Sequence, residues 1–329
     1  MKRMKYWEIG QEELESLKEN YLKIFAEDIT DHTDNKGNPA EGLQPRWERW
    51  LQKNVKGKIF PQNITELFVA SFDQLCDYYD AFIGLGIQEM VFDATTNKSV
   101  PNREWTELED IFKYTKGYDS DIAGFFMENS ELLGIKTCYY CETAYVNTYT
   151  SWDNGKQKMR RQFDVDHFIP KDKCPLLALS LFNFVPSCQV CNSRLKLTGI
   201  PGNRKDEYKL FSPSSEKADY EENIKVRLRF WTQKEGLKGR YIHLRTKQPY
   251  EKYVQFFRLE DRYEFHKVEA VRLNVLKRCY PDTNVQSIAR ILHYRKDVVK
   301  EDIFHLKYMK EEGRCFEKMT RDILKLRIQ

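Results

Sequence analysis

The residues best suited to chemistry lie between Cys138 and Lys196. Two Cys-x-x-Cys pairs bound this stretch, one at Cys138 and Cys141 and the other at Cys188 and Cys191. A gap of two residues lets both sulfurs of a pair bind the same ion, so the two pairs predict a tetrahedral four-cysteine zinc site. Redox-active cysteine pairs are the alternative, but neither pair follows the βαβ pattern that usually accompanies them.

A second group of polar residues lies between the cysteine pairs. Zinc bound by four thiolates has no open position for water, so this zinc would be structural and any chemistry needs a second site. The segment Arg161–His167 alternates apolar and polar residues like a strand, carries Asp166 next to His167, and is followed by a turn at Pro170. A carboxylate beside an imidazole can hold a divalent metal and a general base together, and phosphodiester hydrolysis requires both.

Polar residues on the far side of the site complete the set. Asn183 lies between the Asp-His pair and the second cysteine pair, and Asn192 follows Cys191 directly. The second pair is expected to start a helix whose first turns carry Asn192, Arg194 and Lys196. Because Asn192 and Lys196 are four residues apart, they would share a helix face, one within reach of a metal and the other of a phosphate.

The order of these motifs resembles that of the zinc-stapled HNH endonucleases of the ββα-metal superfamily. The shared elements are Cys-x-x-Cys, Asp-His-x-x-Pro, Asn, Cys-x-x-Cys-Asn and Lys, and they cover residues 138–196 only. The resemblance implies that Asp166 and Asn192 bind a catalytic Mg²⁺ or Mn²⁺, that His167 is the general base, and that Asn183 holds the histidine and its loop. Many members carry His where this chain has Asn192, and an amide oxygen suits a hard cation such as Mg²⁺ or Mn²⁺.

Charge is distributed unevenly along the 329 residues. Residues 1–137 contain 16 Lys/Arg and 25 Asp/Glu, a net charge of −9, whereas residues 138–329 contain 38 and 25, a net charge of +13. The basic part is therefore expected to meet a polyanion. Two differently charged soluble surfaces are the alternative.

The sequence also predicts the compartment of the protein and its relation to membranes. The first residues contain no apolar signal-peptide core, and the longest apolar run, Pro175–Val185, is interrupted by Ser180 and Asn183 and is too short for a bilayer. Eight cysteines without an export signal favour thiols and metal ligation over disulfides. We therefore expect a cytoplasmic protein without a membrane partner.

The periodicity of apolar residues predicts an α+β protein with three regions. Residues 1–135 are expected to form an acidic, mostly helical region and residues 201–329 a basic region with a β-hairpin followed by helices. The family resemblance implies that residues 136–200, between them, form the zinc-stapled HNH core. The hairpin strands are predicted at Ile224–Trp231 and Tyr241–Arg245. Helices are predicted at residues 11–27, 63–84, 103–114, 120–133, 268–279, 285–292 and 297–326.

The function expected from this pattern is metal-dependent hydrolysis of nucleic acid, with DNA as the expected substrate. Candidate nucleic-acid contacts are Arg160, Arg161, Arg194 and Lys196. The large helical flanks and the sequence P-L-L-A-L-S-L-F-N-F-V-P-S-C loosely resemble bacterial HNH proteins of phage defence, in which the nuclease partners an ATPase. An activating protein would then bind the acidic N-terminal region, and without it the nuclease would be only weakly active. The main alternative is a non-catalytic zinc module that binds nucleic acid or protein.

Overall fold

The computed structural model describes residues 1–33, 37–230, 239–306 and 313–325. The fold is mixed α+β, as predicted, and the strands pair two by two in antiparallel ribbons. The paired strands are β1 (His32–Thr33) with β2 (Pro39–Ala40), β3 (Met90–Asp93) with β4 (Lys98–Pro101), β5 (Thr148–Asp153) with β6 (Lys156–Arg161), β7 (Asp164–His167) with β8 (Phe184–Ser187), and β9 (Ile224–Phe230) with β10 (Arg240–Thr246).

Helices flank these ribbons on both sides in the sequence. They are α1 (Gln11–Leu22), α2 (Leu43–Asn54), α3 (Ile64–Phe68), α4 (Phe72–Gly84), α5 (Arg103–Ile111), α6 (Asp119–Glu128), α7 (Ser130–Leu133), α8 (Lys205–Phe211), α9 (Tyr220–Asn223), α10 (Tyr250–Phe256), α11 (Leu259–Glu264), α12 (Lys267–Cys279), α13 (Asp282–Leu292), α14 (Lys296–Phe304) and α15 (Glu317–Leu324).

The predicted single helix over residues 63–84 is wrong, because two helices occupy that range. Asn63 caps α3, as its side chain accepts a hydrogen bond from the backbone N–H of Thr65 at 3.0 Å. A new helix begins after Ser71. The Ser71 hydroxyl accepts a hydrogen bond from the backbone N–H of Gln74, and the Gln74 side chain accepts one from the backbone N–H of Ser71. This reciprocal capping box starts α4 as a separate helix.

The last predicted helix, residues 297–326, is also wrong. Helix α14 ends at Phe304, because His305 adopts the left-handed conformation with φ +55°, and α15 begins at Glu317. The other helices differ from prediction at their ends: α1 continues as a 3₁₀ turn to Phe25, α5 ends at Ile111, and the helix over 120–133 divides at Asn129. Trp231, predicted to end β9, lies outside the described residues.

In the N-terminal region, Trp47 and Trp50 form the buried face of α2. Their rings stack at 5.6 Å between centroids. Each indole N–H finds a backbone carbonyl, Trp47 at Pro61 and Trp50 at Glu104. Burial of two large rings with their polar atoms satisfied anchors α2 against α5 and the loop before α3.

The strand predicted over Arg161–His167 belongs to two different ribbons. Arg161 ends β6, and β7 begins only at Asp164. The β5–β6 ribbon, which was not predicted, lies between the first cysteine pair and the Asp-His pair. The β7–β8 ribbon is buried, with His167 opposite Phe184 and Asp166 opposite Val185.

One hydrophobic cluster contains buried residues from all three predicted regions, including Trp47, Leu176 and Tyr263. The central ribbon is therefore packed between the N-terminal and C-terminal helices. Within the described part of the chain, none of the helices combines the length and the apolar character needed to span a bilayer.

Candidate metal centre and Asp-His site

The four cysteines of the two pairs form one buried cluster, as predicted. Cys138 and Cys141 lie in the turn after α7, Cys188 follows β8, and Cys191 lies in the helical turn Val190–Lys196. Their sulfur atoms all lie within 4.8 Å of one another, and those of Cys141 and Cys188 are 3.9 Å apart. Tetrahedral zinc with bonds of about 2.3 Å requires sulfur–sulfur separations of about 3.8 Å, so the cluster fits a structural zinc ion.

Backbone geometry aims the sulfurs at a common point. The N–H of Cys138 donates to the carbonyl of Ala144, and the chain reverses between them with Glu142 at φ +59°. Backbone N–H groups also point at sulfur, from Thr143 to Cys141 at 3.4 Å and from Cys188 to Cys138 at 3.3 Å. Such donors favour thiolate over thiol, the form that binds zinc.

The C-terminal region supplies further contacts to the cluster. Arg262 donates to the sulfur of Cys191 at 3.2 Å and to the hydroxyl of Thr143 at 3.0 Å. Partial burial alone would lower the pKa of Arg262, but the neighbouring cysteine sulfurs raise it well above its usual value. The Tyr263 hydroxyl donates to the carbonyl of Cys141 at 2.9 Å. Helix α11 therefore holds the metal-binding turn in place and partly offsets the negative charge of the thiolates.

Asp166 lies inside the protein beside two donors. It is 5% exposed, and its two oxygens accept hydrogen bonds from the Tyr140 hydroxyl at 2.6 Å and from Nζ of Lys196 at 3.2 Å. Burial raises the pKa of Asp166 above its usual value, although Lys196 opposes the shift. Burial also lowers the pKa of Lys196. The pair is thus an internal ion pair in which both charges have lost their hydration.

His167 points to the opposite side of β7. Its Nε2 lies 2.9 Å from the carbonyl oxygen of Ala178, and its ring packs edge-on against Tyr114 and next to Phe184. Burial lowers the pKa of His167 to about 4. The ring is therefore neutral at pH 7, and because Nε2 must donate its proton to the carbonyl, Nδ1 carries the free lone pair.

The Asn183 side chain links the beginning of the loop after His167 to a later part of the same loop. Its side chain is fully buried, accepts from the N–H of Ile169 at 2.8 Å, and donates to the carbonyls of Ile169 and Leu177 at 2.9 and 3.1 Å. The Leu177 contact lies one residue before Ala178, the partner of His167. Asn183 therefore fixes the segment that orients the imidazole.

Asn192 does not contact Asp166. Its amide nitrogen donates to Oδ2 of Asp164 at 3.1 Å, while Lys196, one helical turn on, reaches Asp166 and the carbonyl of His167. Both helix residues thus face β7, but the lysine and not the asparagine meets the carboxylate of the Asp-His pair. The oxygen donors that the family resemblance assigns to a divalent metal are of the right type, and each of the two side chains has a different hydrogen-bond partner within the protein.

The basic candidates have different surroundings. Lys196 is buried, and its ammonium donates to Asp166 and to the carbonyl of His167. Arg194 is exposed. Arg160 lies in β6 near Ser151 and Asp153, and Arg161 donates to the carbonyl of Phe163 at 3.3 Å and lies over its ring.

Sequence reasoning missed Tyr140, Tyr114 and the β5–β6 ribbon. Tyr140 lies between the first two cysteines, and its position in the metal-binding turn could have marked it as a neighbour of whatever that turn covers. The ribbon carried a stronger signal, since Asn154-Gly155 is the dipeptide preferred in two-residue hairpin turns.

No protein-family model, no curated protein and no solved structure matches the chain.

Proposed function

We propose that this chain is a zinc-stabilised, metal-dependent endonuclease of nucleic acid with an HNH-type core, and that its substrate is DNA. One observation carries the proposal. The antiparallel ribbon β7–β8 bears the Asp-His pair at the end of its first strand and is followed by a helical turn bearing Asn192, with the four-cysteine cluster joining that turn to the segment before the ribbon. This order of strand, strand and helical turn supports the proposal.

His167 is the general base in this proposal. Its hydrogen bond to Ala178 selects the neutral tautomer, and the buried ring has no competing proton at pH 7. A water molecule held at Nδ1 loses its proton to the ring as its oxygen attacks the phosphorus. The negative phosphate that approaches this buried ring raises its proton affinity during the reaction, because opposite charges stabilise the imidazolium.

Asp166 and Asn192 are the residues that would hold the divalent cation. A bound Mg²⁺ or Mn²⁺ would supply charge for the scissile phosphate and the departing 3′ oxygen. The carboxylate and amide oxygens suit such an ion chemically. In the present arrangement the ammonium of Lys196 takes the place of a cation at Oδ1 of Asp166, so the lysine and a metal would compete for the same oxygen.

That same ion pair favours a second candidate function. A carboxylate fully satisfied by Tyr140 and Lys196 is also what a non-catalytic zinc module would contain. Such a module would bind nucleic acid or protein through its basic surface without cleaving it. Cleavage measurements separate the two candidates.

Plasmid nicking tests the proposal directly. Zinc-loaded protein is incubated with supercoiled DNA in Mg²⁺ or Mn²⁺, and His167→Ala is compared with His243→Ala, a surface histidine paired with Glu260. We expect His167→Ala to lose about 100-fold or more in rate, as loss of a general base does, and His243→Ala to cleave normally. Equal nicking by both variants, or no nicking by the wild type in either metal, would refute the nuclease.

A regulatory partner and a role in phage defence are part of the same proposal. The net charge of −9 over residues 1–137 supports a basic partner surface on an activating protein such as an ATPase. Weak nicking by the isolated chain that rises when the candidate partner is added would support this extension. Full activity of the isolated chain would rule it out.

A further inference from the structure

The β5–β6 ribbon is the most exposed regular element near the Asp-His site. Trp152 is 75% exposed and Tyr149 is 47% exposed. Large aromatic rings left in water on a two-stranded ribbon are unusual, because each forgoes the free energy of burial. The ribbon contains one acid, Asp153, against the bases Lys156, Lys158, Arg160 and Arg161.

The register of the ribbon sorts these side chains onto two faces. Directly paired residues share a face, and the pairs Tyr149–Arg160, Ser151–Lys158 and Asp153–Lys156 alternate with Thr150–Met159 and Trp152–Gln157. Three cations therefore follow one another along one face, at every second residue and about 7 Å apart. Tyr149 lies on the same face, opposite Arg160.

The two-residue turn keeps this arm narrow and places Trp152 near its tip. Asn154 and Gly155 have φ +49° and +76°, as a type I′ turn requires. Trp152 is separated from the turn by a single residue and lies with Gln157 on the face opposite the three cations. A polynucleotide strand that follows the basic face outward therefore reaches the indole by passing over the narrow tip of the arm.

The base of the arm leads directly to the Asp-His pair. The N–H of Gln162 donates to the carbonyl of Asn147 at 2.8 Å and closes the ribbon. Two residues later β7 begins at Asp164. Each strand of the arm has six residues, which corresponds to about 20 Å. The arm is thus long enough to hold several nucleotides of a strand whose continuation reaches the Asp-His site.

We propose that the β5–β6 arm binds a single-stranded segment of polynucleotide. Phosphates lie along the Lys156, Lys158 and Arg160 face. Unpaired bases stack on Tyr149, which shares that face, and on Trp152, which lies on the other face near the tip. Phosphate contacts supply affinity without sequence preference, and aromatic rings stack only on bases that no partner strand covers. This inference rests on the proposed nuclease function and names its substrate as nucleic acid with an unpaired stretch.

Binding without cleavage tests the arm separately from catalysis. Zinc-loaded protein without added Mg²⁺ or Mn²⁺ is titrated into a fluorescent single-stranded DNA oligonucleotide, the matching blunt duplex and a single-stranded RNA. Anisotropy gives the affinities, and a gel confirms that the oligonucleotides are intact. If the arm binds the single strand but the protein does not nick DNA, the proposed nuclease function fails and the arm proposal stands. If the protein nicks DNA but the arm does not contribute to binding, the arm proposal fails and the nuclease function stands.

Charge on the arm is tested with Lys156→Gln/Lys158→Gln. The control is Lys56→Gln/Lys58→Gln, two exposed lysines with the same spacing in the acidic region. We expect the arm variant to bind the single strand about tenfold more weakly and to lower the slope of log affinity against log salt by about 1.4, or about 0.7 for each lost phosphate contact. Equal affinities for the arm variant and the control would overturn the proposal.

Stacking is tested with Trp152→Ala and Tyr149→Ala. Each should weaken binding of the single strand by about tenfold and leave the blunt duplex within about twofold, with an unchanged melting temperature because both rings are exposed. Equal weakening of single strand and duplex would overturn stacking on unpaired bases, as would unchanged binding of the single strand. Similar affinities for DNA and RNA are expected, since phosphates and ring faces do not distinguish the sugars.

Discussion

The four-cysteine cluster and the Asp-His set differ in how complete they are as metal sites. The four sulfurs converge within 4.8 Å, with backbone N–H groups and Arg262 directed at them. In the second set, Asp166 faces Lys196, Asn192 faces Asp164, and His167 faces a backbone carbonyl. The first set converges as a structural zinc site requires, whereas in the second set each side chain has its own hydrogen-bond partner within the protein.

The difference shows what each site requires of its surroundings. Four clustered thiolates would carry more negative charge than Arg262, the cation described beside Cys191, can offset, so the convergence of the four sulfurs favours a bound metal ion. A buried carboxylate paired with a lysine is already neutralised, and a divalent cation must displace that lysine to bind. Zinc is thus expected to be permanent, whereas the second metal is expected to bind weakly, together with the phosphate of the substrate.

Removal of one zinc ligand should have the largest effect. We expect Cys141→Ala to lose its zinc and its cooperative thermal transition, because structural zinc contributes about 10–16 kcal/mol in small domains and that rivals the whole stability of a typical fold. Cys76→Ala removes a buried cysteine outside the cluster and should keep its zinc. Zinc analysis and calorimetry are the measurements, and a cooperative, zinc-loaded Cys141→Ala protein would contradict the structural role.

Breaking the internal ion pair should have an intermediate effect. Lys196→Met leaves Asp166 buried without its cation and should lower the free energy of unfolding by about 3–5 kcal/mol. The double variant Asp166→Asn/Lys196→Met should recover most of that loss. Denaturant titration measures both, with Lys171→Met as the control because its pair with Asp172 is exposed and contributes less than about 1 kcal/mol.

The Lys196→Met variant also shows whether the lysine and a metal ion compete for Asp166. If Lys196 competes with a metal for Asp166, Mn²⁺ should raise the melting temperature of Lys196→Met more than that of the wild type. Equal shifts, or a Lys196→Met protein as stable as the wild type, would show that the ion pair does not control the site.

Loss of the Asn183 side-chain hydrogen bonds should have the smallest of the three effects on stability. Asn183→Ala leaves the backbone groups of Ile169 and Leu177 without their partners, which should cost about 2–3 kcal/mol. Asn54→Ala, which removes one half-buried hydrogen bond to Trp50, should cost less than about 1 kcal/mol. A cost for Asn183→Ala no greater than that of the control would mean that the loop is held by other contacts.

Local spacing in the sequence was sufficient to predict some of these features. The cysteine cluster followed from two short spacings, because a ligand pair on one turn constrains its own geometry. The hairpin β9–β10 followed from the alternation of apolar and basic residues in its strands.

Other features depend on contacts between distant residues. The packing of the helical turn Val190–Lys196 on β7 decides which side chains Asp166 meets. These are Lys196 and Tyr140, rather than Asn192. The turn has π-type bonding, with Leu197 N–H donating to the carbonyl of Asn192, so ordinary helical spacing does not describe its faces. The division of the helix at Ser71 had a local signal, the serine with Gln74 three residues later, which the longer apolar pattern obscured.

Measurement of Mn²⁺ binding tests whether the chain combines a permanent zinc site with a separate, exchangeable metal site at Asp166. Zinc-loaded His167→Ala protein with a short DNA oligonucleotide is titrated with Mn²⁺, and electron paramagnetic resonance reports the free ion. We expect Asp166→Asn in this background to abolish Mn²⁺ binding while zinc remains, and the exposed control Asp172→Asn to retain Mn²⁺ binding. Equal Mn²⁺ binding by all three proteins, or none by any, would contradict this expectation.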